Sequence, residues 1–130
     1  MAKATLKRTK KTRRNVIEWT VSINASFNNT HVIVSDNEWK VLTWATWWSS
    51  WFKWARESTP YAAQITAENA CSKAKSMHGM EKAKVLVKWI WSWREQAIRW
   101  VVNAWIELSW IFDITPVPHN GCRKKKVRKL

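Results

Sequence analysis

The sequence predicts one α/β domain in which two helices pack against a mixed five-stranded sheet, in the order β-β-β-α-β-α-β. Three observations support this fold class. Several segments alternate between apolar and polar residues, which is the period of a half-buried strand. Two other segments have the apolar spacing of helices, and each lies between two strands. The length of 130 residues is enough for one hydrophobic core.

The first strand is predicted at WTVSINASF, residues 19–27, where every second residue is apolar. One face of this strand holds four apolar residues, Val21, Ile23, Ala25 and Phe27. Asn28 and Asn29 then favour a turn, because asparagine tolerates a left-handed backbone and caps its own chain.

The second and third strands are predicted at residues 30–36 and 40–46. Residues 36–39, DNEW, form a link that is short enough for a hairpin. A hairpin of this kind favours glycine, whereas the sequence has Trp39.

The first helix is predicted from Pro60 to His78. Ser58 and Thr59 supply a hydroxyl N-cap, and proline at the first helical position already has the required φ. Gly79 fits the left-handed position that ends many helices. The expected buried stripe consists of Ala63, Ala70, Ala74 and Met77.

The second half of the chain predicts a strand at 83–88, a helix from Arg94 to Ala104 and a last strand at 107–114. The residues expected to face inward from this helix are Ala97, Ile98, Val101 and Val102. A hairpin meander followed by crossover units produces a mixed sheet.

The positive charge is concentrated at the two ends of the chain. The formal net charge is +14, yet residues 16–115 contain ten basic and nine acidic residues. Residues 1–15 contain seven basic residues and residues 116–130 contain six, with no acidic residue in either segment. We therefore divide the chain into a basic N-terminal arm, an α/β domain and a basic C-terminal tail with these bounds.

Such tails become ordered on a polyanion, and nucleic acid is the first candidate because phosphate neutralisation releases counterions. An anionic membrane surface, or a solubilising or localising role alone, are the alternatives.

Two cysteines, Cys71 and Cys122, are far apart in the sequence and indicate a reduced cytosolic protein rather than a disulfide framework. No window of about 18 residues is apolar enough to span a membrane. The basic N-terminus is not followed by the apolar run of a secretory signal.

Three stretches resemble a known family. INASFNNT at 23–30, STPYAAQ at 58–64 and DITPVPHNGCR at 113–123 are similar to the ribosomal protein S-eleven family of the small ribosomal subunit, and the resemblance covers nearly the whole chain. It implies a ribonuclease H-like sheet and an architectural role on small-subunit rRNA, on the platform near the mRNA exit and the Shine–Dalgarno cleft. It implies the proteins S-seven and S-eighteen as neighbours, mRNA nearby, a cytoplasmic location, no cofactor and no homo-oligomer.

The resemblance and the charge pattern together predict the rRNA-binding residues. The family has a glycine-rich loop at the positions of residues 89–93, which are WIWSW here. With glycines, this loop would expose backbone N–H groups at a helix start, and Arg94 would add a guanidinium. Pro116 and Pro118 stiffen the segment that carries the C-terminal charge. The predicted residues are Lys7, Arg8, Lys10, Lys11, Arg13, Arg14, Asn28, Asn29, Lys53, Arg56, Arg94, His119, Asn120, Arg123, Lys124, Lys125, Lys126 and Arg128.

The chain contains 13 tryptophans and 2 glycines. Members of the family carry glycine at most of the positions that are tryptophan here, including the loop KWIWSWRE at 88–95, whereas Trp44 in WAT is usual for them. The codon UGA specifies stop in the standard code, tryptophan in some variant codes and glycine in others. We interpret twelve tryptophans as glycine codons read with a tryptophan table: Trp19, Trp39, Trp47, Trp48, Trp51, Trp54, Trp89, Trp91, Trp93, Trp100, Trp105 and Trp110. The alternative is that the indoles are genuine and stack on bases.

The sequence gives little support for catalysis or metal binding. His119 and Cys122 could supply only half of a zinc site, and the sequence offers no second pair of ligands, so we expect no zinc. A two-metal nuclease needs clustered carboxylates, for which only Asp36, Glu38 and Asp113 lie next to strands. We expect no enzyme, and the alternative function is a general nucleic-acid-binding or membrane-surface-binding basic protein.

Overall fold

The computed structural model describes residues 17–50, 59–104 and 106–128. The elements are β1 (Glu18–Ala25), β2 (Thr30–Asp36), β3 (Val41–Thr46), a 3₁₀ turn (Trp48–Ser50), α1 (Pro60–His78), β4 (Lys82–Lys88), α2 (Trp93–Asn103) and β5 (Glu107–Asp113). The predicted α/β class and the order β-β-β-α-β-α-β are confirmed.

The five strands form one mixed sheet in the order β3-β2-β1-β4-β5. β2 pairs antiparallel with both β1 and β3, whereas β4 pairs parallel with β1 and β5. The hairpin meander therefore occupies one half of the sheet and the two crossovers extend the other half.

The core lies between one face of the sheet and the two helices, which pack against each other. Val21 of β1 is paired with Val34 of β2 and Val85 of β4, so three buried valines lie side by side. α1 packs over β2 and β3 through a stripe of small residues, which lets the helix approach the sheet closely. That stripe contains Ala63, Ala67, Ala70 and Ala74.

Local signals explain the ends of α1. The Thr59 hydroxyl accepts a hydrogen bond from the Ala62 N–H at 3.2 Å, and Pro60 occupies the first turn. Gly79 has φ 72° and ψ 42°, and its N–H donates to the Lys75 carbonyl. The helix predicted from Pro60 to His78 is confirmed at both ends.

Three side chains that the apolar pattern predicts to face inward are exposed. Phe27 is 58% exposed because β1 ends at Ala25 and the chain turns back. Val102 lies next to buried Val101 on α2, and one helical residue rotates the side chain by about 100° away from the sheet. Met77 is 39% exposed near the end of α1. In the described part of the chain, no helix is long and apolar enough to cross a membrane.

Candidate nucleic-acid interface

Four loops leave the sheet at one edge. β1, β3, β4 and β5 all run in the same direction, so the segments that follow them begin on the same side. A row of register partners crosses the sheet just before this edge, and it consists of Lys88, Asn24, His31 and Thr46. We call the edge formed by residues 26–29, 46–50, 89–93 and 113–120 the loop edge.

The β1–β2 turn is held by its own polar groups. The N–H and the hydroxyl of Ser26 both donate to the Asn29 carbonyl, at 2.8 and 3.0 Å. Nδ2 of Asn29 lies 2.7 Å from Nε2 of His31, and Asn28 is exposed. Among the described residues, no donor reaches the buried Oδ1 of Asn29. The turn therefore presents Asn28 to solvent and holds Asn29 inward.

A second polar network ties the loop before α2 to the start of the C-terminal segment. Nη1 of Arg94 donates to Oδ2 of Asp113 at 2.8 Å and to the Trp89 carbonyl at 3.0 Å. Oδ1 of Asp113 accepts hydrogen bonds from the N–H and the hydroxyl of Thr115. The Thr115 hydroxyl also accepts from the Trp89 N–H at 3.0 Å. We call this set of contacts the Arg94–Asp113–Thr115 network.

The hydrogen bonds from Thr115, together with the adjacent Arg94 guanidinium, lower the pKa of Asp113 from its ordinary value. The carboxylate is therefore ionised under neutral conditions and holds both partners. Arg94, predicted as an rRNA contact, lies at the loop edge with Nη1 already engaged inside the protein.

The C-terminal segment extends away from this network. Residues 116–128 are exposed, and Asn120 has φ 59°, which asparagine tolerates. A Cβ on Gly121 would lie 2.9 Å from Cβ of Pro118, so the turn requires glycine there. Beyond the turn, the predicted cationic residues Arg123, Lys124, Lys125, Lys126 and Arg128 are all exposed.

Other predicted residues lie outside the described part of the chain. The cations in this group are Lys7, Arg8, Lys10, Lys11, Arg13, Arg14, Lys53 and Arg56, and the tryptophans are Trp51, Trp54 and Trp105.

Indoles crowd the loop edge. The rings of Phe27 and Trp91 are 4.7 Å apart, and Trp91 stacks on Trp93 at 5.5 Å with an interplanar angle of 10°. Nε1 of Trp93 donates to the Ser26 carbonyl at 3.4 Å, which joins this loop to the β1–β2 turn. Nζ of Lys88 lies 5.1 Å from the centre of the Trp89 ring.

The remaining tryptophans have different environments. Trp19 is fully buried on β1 and its ring is 5.5 Å from that of His78, so packing alone gives no reason for glycine there. Trp47 is buried, and no acceptor lies near its Nε1 among the described residues. Trp39 and Trp89 have φ of 61° and 76°.

The carboxylates considered for catalysis do not meet. Asp36 ends β2 at the edge opposite the loop edge, where Glu38 pairs with Lys40, whereas Asp113 binds Arg94 at the loop edge. In residues 17–50, 59–104 and 106–128, no three His, Cys, Asp or Glu side chains lie close enough to hold one metal ion.

Sequence reasoning did not find the roles of Asp113 and Thr115 at this interface. The sequence pattern indicates only a strand-associated carboxylate at Asp113 and only a phosphate ligand at Arg94. No short-range pattern joins Arg94 to residues 19 and 21 positions further along the chain. Their contact depends on β4 and β5 being parallel neighbours.

Comparison with known proteins identifies the family. The family model described as Ribosomal protein S11 matches residues 20–129. The small ribosomal subunit protein uS11 of Borreliella burgdorferi (strain ZS7) is 46% identical over 129 residues, which covers 99% of this chain and 98% of that protein. The uS11 proteins of Borreliella afzelii (strain PKo) and Borrelia garinii subsp. bavariensis have the same identity and coverage. The fold, the loop-edge motifs and these matches together mean that the chain belongs to the ribosomal protein S11 family.

Proposed function

We propose that this chain, a structural protein of the small ribosomal subunit by its family, binds rRNA through the loop edge and the two basic tails. The observation that carries this proposal is the position of the loops. The turn 26–29, the start of the 46–56 loop, the 89–93 loop and the C-terminal segment all leave the sheet on one side. One face of the protein can therefore meet one RNA surface.

The C-terminal segment acts as a stiff stem that carries exposed positive charge. The Arg94–Asp113–Thr115 network fixes its start, and Pro116 and Pro118 restrict its backbone. Arg123 and the exposed cations that follow neutralise phosphates beyond the surface of the folded domain. The N-terminal arm, residues 1–15, supplies a second set of cations.

The turn and the loops supply closer contacts. Exposed Asn28 and Asn120 offer side-chain amides, and exposed His119 offers an imidazole, for hydrogen bonds to sugar or base edges. The 46–56 loop contributes Lys53 and Arg56, and Arg94 orients the loop before α2. The role is architectural, and we propose no catalytic step.

We place the protein on the platform of the cytoplasmic small subunit, near the mRNA exit and the Shine–Dalgarno cleft. Its proposed protein neighbours are S-seven and S-eighteen. Membership of the family and the DITPVPHNGCR motif support this placement, and the exposed cationic tail supports contact with RNA.

The test compares equal charge removal at two edges. One variant changes Arg123, Lys124, Lys125 and Lys126 to Gln. The matched control changes Lys40, Lys73, Lys75 and Lys82 to Gln, since these residues lie at the starts of β3 and β4 and in the second half of α1, away from the loop edge. Binding to small-subunit rRNA is measured against salt concentration.

The tail variant should bind more weakly, and its salt slope should fall by roughly 0.7–0.9 log units for each lost phosphate contact. The control variant should keep most of the slope. Equal losses in both variants would mean that the charge acts without regard to position, and an unchanged tail variant would remove the tail from the interface.

A further inference from the structure

The proposed function leaves the tryptophan content unexplained. Average protein composition contains about 7% glycine, or roughly nine residues in a chain of this size. This chain contains 2 glycines and 13 tryptophans. We propose that residues 39 and 89 are glycine in the protein that the source cell makes. Their codon specifies glycine in that cell and is translated as tryptophan in this sequence.

The backbone conformation at residue 39 favours glycine. Asp36, Asn37, Glu38 and Trp39 form a turn in which the Trp39 N–H donates to the Asp36 carbonyl at 2.9 Å. The Asp36 N–H then donates to the Lys40 carbonyl at 3.0 Å, which closes the hairpin. A turn followed by one left-handed residue is a common hairpin connection, and glycine fills that position because it has no Cβ. Trp39 has φ 61° there, and its side chain is 66% exposed, so little burial offsets the strain.

Residue 89 is held in the same conformation by the network at the loop edge. Its N–H donates to the Thr115 hydroxyl and its carbonyl accepts from Arg94, both at 3.0 Å. These two bonds fix the peptide groups on both sides of a residue with φ 76°. A bulky residue at such a φ is a backbone outlier. Glycine would allow the same bonds without the Cβ clash.

Three other residues sharpen the comparison. Asn120 is also left-handed, but asparagine adopts this conformation readily. Trp44 lies within β3 opposite Ile33, in extended backbone where tryptophan is favourable. Trp47 is buried, and no acceptor for its indole N–H lies among the described residues. Among the described residues, Gly79 and Asn120 are left-handed and belong to residue types that tolerate this conformation. The other two left-handed residues in that part of the chain are Trp39 and Trp89.

The inference deepens the proposed function without depending on it. Glycine at 89, and at 91 and 93 if they share the codon, would remove the indoles that cover the loop before α2. The backbone at the loop edge could then approach an RNA phosphate directly. If the chain bound no RNA, the proposed function would fail, but the left-handed φ values at Trp39 and Trp89 would still favour glycine.

The first test reads the protein and its gene together. Small ribosomal subunits are purified from the source cells, the peptides that contain residues 39, 44 and 89 are fragmented in a mass spectrometer, and the codons are sequenced. We expect glycine at 39 and 89 from UGA codons, and tryptophan at 44 from UGG. Tryptophan at 39 and 89 in these peptides would overturn the inference.

The second test is independent of the source cell and of RNA. The chain with all 13 tryptophans is compared with a Trp39→Gly, Trp89→Gly double variant and with a Trp44→Gly control by equilibrium unfolding in denaturant. Removing the strain at each left-handed residue should raise the folding equilibrium constant by up to roughly 5- to 30-fold. The observed gain should be smaller, because glycine also increases the conformational entropy of the unfolded chain. The control should lose stability, because glycine weakens a strand interior. A double variant that is as destabilised as the control would contradict the geometric argument.

Discussion

At the level of single residues, the two cysteines have opposite environments. Cys71 is fully buried on α1, and burial raises the pKa of its thiol to about 12, whereas Cys122 is exposed beyond the Asn120–Gly121 turn. The thiolate is the reactive form, so the native protein should react at Cys122 alone.

An alkylating reagent at pH 8 should therefore modify one thiol in the folded protein and two after denaturation, as counted by intact mass. A Cys122→Ser variant should be unreactive until it unfolds. Rapid native labelling of Cys71 in this variant would mean that α1 opens readily.

Asp113 gives a pH dependence with a definite sign. Its pKa is lowered in the folded protein, chiefly by the hydrogen bonds from Thr115. A depressed folded pKa contributes stability above the unfolded value of about 3.9, and this stability is lost as the pH falls through the folded value. The stability difference between the parent chain and Asp113→Asn should therefore be largest near neutral pH and should shrink below about pH 4.

Chemical denaturation at several pH values measures this difference. Glu107→Gln is the control, because Glu107 lies at the other end of β5 in an exposed pair with Lys82 at 3.6 Å. Exposed pairs contribute little, so its effect should be small. A pH-independent difference for Asp113→Asn would contradict the role of the carboxylate charge.

At the level of elements, the first helix depends on its N-cap. The Thr59 hydroxyl accepts from the Ala62 N–H, and this bond satisfies one of the helix's otherwise unpaired donors. Thr59→Ala should lower the free energy of unfolding by about 0.5–2 kcal/mol, whereas Thr59→Ser should keep most of the stability. Equal losses in both variants, measured by urea unfolding, would mean that the methyl group rather than the hydroxyl matters.

The ends of the two helices were not equally predictable. Thr59, Pro60 and Gly79 are local signals, and they act within a few residues of the ends they set. α2 begins at Trp93, one residue earlier than expected, because Ser92 has helical φ and ψ and its side chain forms no cap bond. A serine that continues the helical backbone does not mark a boundary.

The last strand shows what alternation alone cannot predict. β5 lies at the edge of the sheet, and Trp110, Ile111 and Phe112 are each about half exposed or more. Ile111 is the register partner of buried Val85, yet it is 55% exposed, so the edge position of β5 and not the face of its side chain limits burial. Burial of a strand depends on its position in the sheet, and the sequence of the strand does not specify that position.

At the level of the whole molecule, folding and binding should separate. Residues 123–128 are exposed, and they follow a segment that the Arg94–Asp113–Thr115 network has already anchored. Removing residues 123–130 should leave the thermal midpoint nearly unchanged while rRNA affinity falls. Calorimetry and a binding titration on the same sample test this, and a large loss of stability would show that the tail packs on the domain.

The fold class, the order of the elements, most of their ends and the division of charge between domain and tails can all be predicted from the amino-acid sequence. These features are local: a cap, a proline, a two-residue alternation or a run of lysines acts over a few positions. The family motifs, such as DITPVPHNGCR, are also contiguous. The left-handed strain at Trp39 could be expected from a hairpin link without glycine.

The contacts between segments far apart in the chain become visible only in the folded molecule. The strand order β3-β2-β1-β4-β5 brings four loops to one edge, and it joins Arg94 to Asp113 and Thr115. It also buries Trp19 completely, although the sequence pattern grouped this residue with the glycine positions. The physical reason is that pairing and burial depend on contacts between residues far apart in the chain, such as Val21 with Val85. No local pattern specifies such contacts.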